Sequence, residues 1–199
     1  MKELIVASGN EGKIREIRAM LDDLGIQVIP MKEALGEDVD IDETGTTFED
    51  NAVIKAETVM NLVHKPVLSD DSGLEVDYMD GQPGVYSARF LGHDTSYDIK
   101  NQYIIDQLKD AKGDERSARF VCAMALAAPG EETIVIRETF EGLINDKIEG
   151  ENGFGYDPIF YFPPVGTTSA IMSMEEKNKY SHRAKALRRL YAILKEKQG

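Results

Sequence analysis

Hydrophobic and polar positions sort most of this chain into short buried strands and amphipathic helices. Leu4-Ile5-Val6-Ala7 is an unbroken apolar run, the pattern of a buried strand. The polar stretch Ser8-Gly9-Asn10-Glu11-Gly12 and Lys13 follow, and then Ile14, Ile17, Leu21 and Leu24 recur at helical spacing as far as Gly25, a helix-ending residue. Ile26 to Ile29 predicts a second strand. Thr46, with Glu49 three residues on, makes a capping box for a helix whose buried face is Phe48, Ala52, Ala56, Val59, Met60 and Val63. Asn51 and Lys55 share a different face of that helix, one turn apart.

Pro66-Val67-Leu68 reads as the end of a buried strand, and Ser69-Asp70-Asp71-Ser72-Gly73 as a sharp turn before the alternating stretch Leu74 to Tyr78. Gly81 to Gly84 is a further turn, and Val85 to Phe90 resumes an extended pattern that contains Arg89. Tyr97 to Ala111 predicts a helix with Tyr103, Ile104 and Leu108 inward. Ser117 to Leu126 and Thr133 to Ile144 predict two longer strands around the hairpin signature Pro129-Gly130. Ser173 and Glu176 cap a short helix carrying Lys177, and Ser181-His182-Arg183 opens a terminal helix whose Leu187, Leu190, Tyr191 and Leu194 lie on one face.

Composition narrows the class. The 199 residues, 42% hydrophobic, suffice for one large domain or for two lobes sharing a core. Lys and Arg number 23 against 36 Asp and Glu, a net charge of -13, so a nucleic-acid polymer or an anionic membrane surface would be repelled. A small phosphorylated substrate stays compatible if cations screen it. The longest uncharged apolar run, Phe120 to Ala128, is too short to span a bilayer, which predicts a soluble, cytoplasmic protein. The only cysteine, Cys122, lies inside that run and reads as a core thiol, with no intrachain disulfide open to it.

Two adjacent carboxylates at a strand end suit a hard cation such as Mg²⁺, although the stretch is also an ordinary acidic turn. Because side chains alternate across a strand, Asp70 and Asp71 cannot both face one ligand within it; one faces the site and the other supports it. The loop Ser8 to Lys13 sets backbone N–H groups, a helix N-terminus and a lysine where an anion would bind. Its spacing departs from a Walker motif, since two residues rather than four separate Gly9 and Gly12 and Ile14 follows the lysine; a plain turn into a helix is the alternative. The acidic run Glu37 to Glu43 precedes the Thr46 helix, whose start can bring a further carboxylate to the same cation. Glycines on both sides of Phe154 leave its ring free to present a face to a flat ligand, the alternative being a core aromatic in a tight turn. His182 and Arg183, in the first turn of a helix, oppose its dipole, which an anionic or acceptor-rich ligand would relieve.

Taken in order, these stretches resemble the inosine triphosphate pyrophosphatase family, the dITP/XTP diphosphatases: Ser8 to Lys13, Glu43-Thr44-Gly45 with Thr47 to Asn51, Asp70 to Leu74, Pro83 to Arg89, Gly153 to Pro158, and Ser181 to Arg183. The resemblance implies an elongated α/β fold with a long mixed sheet flanked by helices, one pyrophosphatase domain over residues 1–199 in two lobes with an active-site cleft between them, and a homodimer. It implies Mg²⁺-dependent attack of water on the α-phosphorus of a noncanonical purine nucleoside triphosphate, giving the monophosphate and pyrophosphate and cleansing the nucleotide pool. By matching position, Ser8, Gly9, Asn10, Glu11, Gly12 and Lys13 would cradle the phosphates. Asp71 would be the general base and a Mg²⁺ ligand, Ser72 would contact substrate, and Asp42 would be the other ligand. Phe154, Gly155, Tyr156, Asp157, Lys177, His182 and Arg183 would hold the base. Ser8 stands where the family commonly has threonine and Asp42 where it commonly has glutamate, which leaves open direct binding by Asp42, binding through water, or replacement by Glu43. Two rival functions fit parts of this pattern: a pyrophosphatase for modified pyrimidine nucleotides, and a nucleotide-binding regulatory module without catalysis.

Overall fold

The computed structural model describes residues 1–37 and 39–198; Asp38, within the acidic run, lies outside them. Seven strands form one mixed sheet in the order β2-β1-β3-β4-β5-β6-β7. They are β1 (Glu3–Val6), β2 (Gln27–Pro30), β3 (Val67–Val76), β4 (Ser117–Ala127), β5 (Ile134–Ile144), β6 (Phe160–Phe162) and β7 (Thr167–Thr168). Helices α1 (Glu11–Leu21), α2 (Met31–Leu35), α3 (Phe48–Val63), α4 (Tyr97–Gln107), α5 (Met174–Tyr180) and α6 (His182–Gln198) flank it. The chain divides into two compact units, each discontinuous in sequence: Met1–Asp71 with Cys122–Glu138 and Lys185–Gly199, and Ser72–Val121 with Thr139–Ala184.

The first unit is built on parallel pairing of β1 with β2 and with β3. Parallel strands covered on both faces are apolar throughout, and β1 shows why. Leu4 and Val6 join Leu68, Met124 and Leu126 in a core covered by Ile14, Ile17 and Leu21 of α1 and Leu187, Leu190 and Leu194 of α6. Ile5 and Ala7 turn the other way, into a second core with Val67, Met31 and Val59. Cys122 is buried in the first of these cores. α1 ends at Leu21 and a 3-10 turn over Asp22–Leu24 carries the chain to Gly25, the predicted helix-ending residue, whose φ of 63° is left-handed.

The second unit gathers Leu74, Val76, Ile104, Leu108, Phe120, Phe140, Phe160 and Phe162 into its own core. Three sequence expectations fail here or nearby. Val85 to Phe90 is a 3-10 turn followed by further turns rather than extended chain, since Pro83 and Gly84 start a bend and the segment has no strand partner. Tyr103 is exposed, because Ile104 and Leu108 already fill the inward stripe of α4. The cap of α3 is Thr47, whose side chain accepts from the Asp50 amide, one residue later than the Thr46–Glu49 pair suggests.

At the surface of the second unit, Arg119 grips both oxygens of Asp77 at 2.8 Å each and reaches Glu141 at 3.1 Å. The guanidinium bonds, helped by Ser117, hold the Asp77 carboxyl below its ordinary value of 3.8. A carboxylate whose folded pKa is depressed contributes stability above its unfolded pKa and loses it as pH falls through the folded one. Asp77 is 44% exposed at its side chain, so water screens the pair and its worth is at most about 1 kcal/mol. Asp77→Asn is therefore expected to lower unfolding stability by that order at neutral pH. The gap to the native protein should close as pH drops below 3.8, which urea titrations at several pH values would measure.

Candidate active site

Asp70 and Asp71 lie inside β3, which runs on through Gly73 to Val76 instead of turning. β4, apolar from Phe120 onward, flanks β3 in the sheet and supplies it with a hydrogen-bonding partner. Alternation then assigns the two carboxylates to opposite faces. Asp70 shares the face of Leu68 and meets α1, where Lys13 Nζ donates to its Oδ2 at 2.6 Å. Asp71 shares the face of Val67 and Ser69 and meets α3: the Ser69 hydroxyl donates to the Ala52 carbonyl, and Lys55 Nζ stands 3.6 Å from Asp71 Oδ1.

Asp71 is 9% exposed, and its Oδ2 has no hydrogen-bond partner among the described residues. Burial pushes its pKa above the ordinary carboxylate value. Lys55 pulls against this, Glu43 and Asp70 add to it, Asn51 opposes it, and the balance is upward. Burial alone would lower the Lys55 ammonium, but Asp71, Asp70 and Glu43 outweigh it and its pKa is raised. The result is a buried carboxylate of raised proton affinity beside a charged lysine.

The loop before α1 is more committed than its sequence suggests. Asn10 Oδ1 accepts from the amides of Gly12 and Lys13 at 2.9 and 3.1 Å, and Ser8 Oγ accepts from the Asn10 amide at 3.1 Å. Those three N–H groups are satisfied within the loop. Gly9 has open space where a side chain would stand, and Glu11 is exposed in the first turn of α1, so the anion-facing features left are the Ser8 hydroxyl, the backbone at Gly9 and the Lys13 ammonium. Ser72, next along β3, is half-buried.

Glu43, rather than Asp42, is the carboxylate brought to Asp71. Lys55 Nζ donates to Glu43 Oε1 at 2.9 Å, so one ammonium links Glu43 to Asp71, whereas the Asp42 side chain is exposed. The donor set on this face is all oxygen, which fits a hard cation. Among the described residues no group of three or more His, Cys, Asp or Glu side chains forms a metal cage. A cation here would complete its shell with water and phosphate oxygens, which is the habit of Mg²⁺.

Phe154 to Asp157, Lys177, His182 and Arg183 lie in the second unit. Phe154 is 68% exposed, which excludes a core role. Asp157, 2% exposed, accepts from the Phe154 amide at 3.0 Å, from Ser169 Oγ at 2.6 Å and from Lys177 Nζ at 2.7 Å. Its carboxylate is consumed in holding Lys177 and the Phe154 backbone, and Lys177 Nζ stands 6.0 Å from the Phe154 ring centre. Gly155 is left-handed at φ 65°. Tyr156 is buried with its hydroxyl on the Ser87 carbonyl at 2.7 Å, so its ring offers no face to a ligand. His182 stacks on Phe120 at 5.2 Å, and Arg183 follows it, half-buried, in the first turn of α6.

With these two clusters in place, the comparison with known proteins is decisive, since a family model described as the Ham1 family matches residues 4–193. The chain belongs to the Ham1 family. It is 48% identical over 195 residues to a dITP/XTP pyrophosphatase of Bacillus licheniformis and 44% identical over 194 residues to one of Bacillus subtilis, with 98% of each chain covered in both cases. Among solved structures it resembles the Staphylococcus aureus Ham1 protein, with a TM-score of 0.92 and 41% identity over 98% of this chain and all of that one. A HAM1 protein from Coxiella burnetii matches with the same TM-score and coverage at 39% identity.

Two residues of this Ham1 chain escape sequence reasoning. Lys55 and Asn51 read there only as a shared helix face, yet Lys55 joins Glu43 to Asp71, and Asn51, fully buried, accepts from the Gly45 amide at 2.8 Å. The available signal was polar residues one turn apart on a helix that follows an acidic loop.

Proposed function

We propose that the chain hydrolyses noncanonical purine nucleoside triphosphates, ITP, dITP and XTP, to the monophosphate and pyrophosphate. The observation that carries this reading is Asp71: a buried carboxylate with raised proton affinity, and a lysine and second carboxylate beside it. The relatives' name, dITP/XTP pyrophosphatase, supports dITP and XTP among these substrates.

In this reading Asp71 takes a proton from water as the water oxygen bonds to the α-phosphorus, and the bond from that phosphorus to the pyrophosphate oxygen breaks. Asp71 and Glu43 would hold Mg²⁺, which when bound would neutralise phosphate charge and polarise the phosphoryl oxygens. Lys55 links Glu43 to Asp71. Ser8, Gly9 and Lys13 meet the phosphates, while Asp70 orients Lys13 from the far face of β3. Phe154 stacks on the purine, and Lys177, His182 and Arg183 offer donors to its acceptor edge.

The test is a nucleotide panel with separate detection of phosphate and pyrophosphate. Pyrophosphate from ITP and XTP supports the reading; orthophosphate as first product, preference for modified pyrimidines, or tight binding without turnover would each replace it. The ligand assignment has its own test. Glu43→Ala is expected to raise the Mg²⁺ concentration for half-maximal turnover by about 10- to 100-fold, and Asp42→Ala to leave it within about threefold. The reverse order would make Asp42 the ligand.

A further inference from the structure

Asn51 stands between the acidic loop and the base, and neither contact is one a core residue needs for packing alone. Its side chain is fully buried on α3, among Phe48, Ala52 and Ala56, which are apolar and equally enclosed. A buried amide at such a position is costly unless its polar atoms are used. The Oδ1 is used: it accepts from the Gly45 amide at 2.8 Å, across six residues of chain. That bond draws the loop in so closely that a Cβ on Gly45 would lie 2.6 Å from Asn51 Oδ1, 2.6 Å from Asp50 Cβ and 2.9 Å from the Asn51 amide. Glycine at 45 is thus required by the approach, and the approach fixes Glu43, two residues earlier.

The other end of the amide is aimed at the base. Asn51 Nδ2 is buried and has no hydrogen-bond partner of good geometry among the described residues, and the same holds for Asp71 Oδ2. One is a donor, the other an acceptor. α3 and β3 lie together here, since the Ser69 hydroxyl donates to the Ala52 carbonyl and Lys55, one turn from Asn51, stands 3.6 Å from Asp71 Oδ1, and the Asn51 side chain favours the ionised form of Asp71. The oxygen of this amide thus holds the acidic loop, and its nitrogen is left for the Asp71 carboxylate, all within the first unit.

We propose that Asn51 is a positioning residue for the reaction. Its Oδ1 sets the place of the Glu43 loop through Gly45, and its Nδ2 sets the orientation of the Asp71 carboxylate. The inference rests on the reading of Asp71 as base, and it adds a residue that touches neither phosphate nor purine.

The two arms separate by substitution. Asn51→Ala removes both. Asn51→Asp keeps an acceptor for the Gly45 amide but loses the donor toward Asp71. Gly45→Ala disturbs the loop and leaves the amide intact. Hydrogen exchange of the Gly45 N–H, read by NMR, is expected to speed up at least tenfold in Asn51→Ala and to stay near the native rate in Asn51→Asp. The value of kcat is expected to fall about 10- to 100-fold in both, as losses of groups that orient metal and base ligands do. Binding of inosine monophosphate without metal, by calorimetry, should be unchanged, because its purine contacts lie in the second unit. Equal kcat in native protein and Asn51→Asp would overturn the donor arm, and unchanged Gly45 exchange in Asn51→Ala would overturn the tether. Should Asn51→Ala fail to fold, Asn51→Asp and Gly45→Ala still decide both arms. If the native protein itself does not turn over ITP, the proposed function fails, while the exchange result at Gly45 stands by itself.

Discussion

Asp71→Asn is expected to cut kcat by about 10²–10⁴-fold while leaving the protein folded and able to bind nucleotide. The amide is isosteric with the carboxylate but cannot accept the proton from water, and loss of a general base is worth that order of rate. Stability gives an internal control. Asp71 has a folded pKa above its ordinary value, so its ionised form weakens the folded state at neutral pH, and a neutral amide removes that cost. Against this, Lys55 loses one of its two carboxylate neighbours but keeps Glu43 at 2.9 Å. Tm should accordingly change little, and a variant that is inactive because it is unfolded would be recognised at once. Asp70→Asn provides the contrast. Asp70 lies across the strand and pairs with Lys13, so its loss should act on nucleotide affinity and reduce kcat less than Asp71→Asn does. Near-native turnover in Asp71→Asn, or a larger kcat loss in Asp70→Asn, would reassign the base.

The alternation argument explains what the sequence could and could not reveal. That Asp70 and Asp71 serve different faces follows from strand geometry alone, and the lysines found on each face fit it. That the strand continues through Ser72 and Gly73 does not follow, because it depends on β4, which arrives about fifty residues later and supplies the pairing that turn residues would otherwise forgo. The α1 register, its end at Gly25 and the long pair β4 and β5 were legible because apolar spacing and glycine act locally. Lys55 was not, since its two acids lie 12 residues before it on a loop and on a separate strand. For the same reason the sequence favoured Asp42 by position in a motif, whereas the loop's tether at Gly45 brings Glu43 inward. Tyr156 and Asp157 were legible as important but not in kind: glycine spacing marked the loop, and only the folded chain shows Tyr156 bonded to the Ser87 carbonyl and Asp157 to the Phe154 amide and Lys177.

Base choice should produce the other large effect. ITP and XTP are expected to exceed ATP in kcat/KM by up to about 10⁴-fold, and GTP by a smaller factor. Lys177 is fixed by Asp157 at 2.7 Å, and in the proposed reading its ammonium, with His182 and Arg183 at the start of α6, supplies donors to the purine edge. Hypoxanthine and xanthine carry an acceptor oxygen at C6, whereas adenine carries an amino donor there. Two donors would then face each other in a desolvated place, and buried groups left unmatched in this way give the largest discriminations available without editing. Guanine keeps the C6 oxygen and differs from hypoxanthine only by its 2-amino group, so its rejection must be weaker. Phe154 presents a π face that every purine can use. Phe154→Ala should therefore reduce kcat/KM for ITP, GTP and ATP by similar factors, and Arg183→Ala should narrow the gap between ITP and ATP. Equal kcat/KM for the three nucleotides in the native protein would contradict a donor-lined purine pocket and leave a pyrophosphatase that selects by phosphate alone.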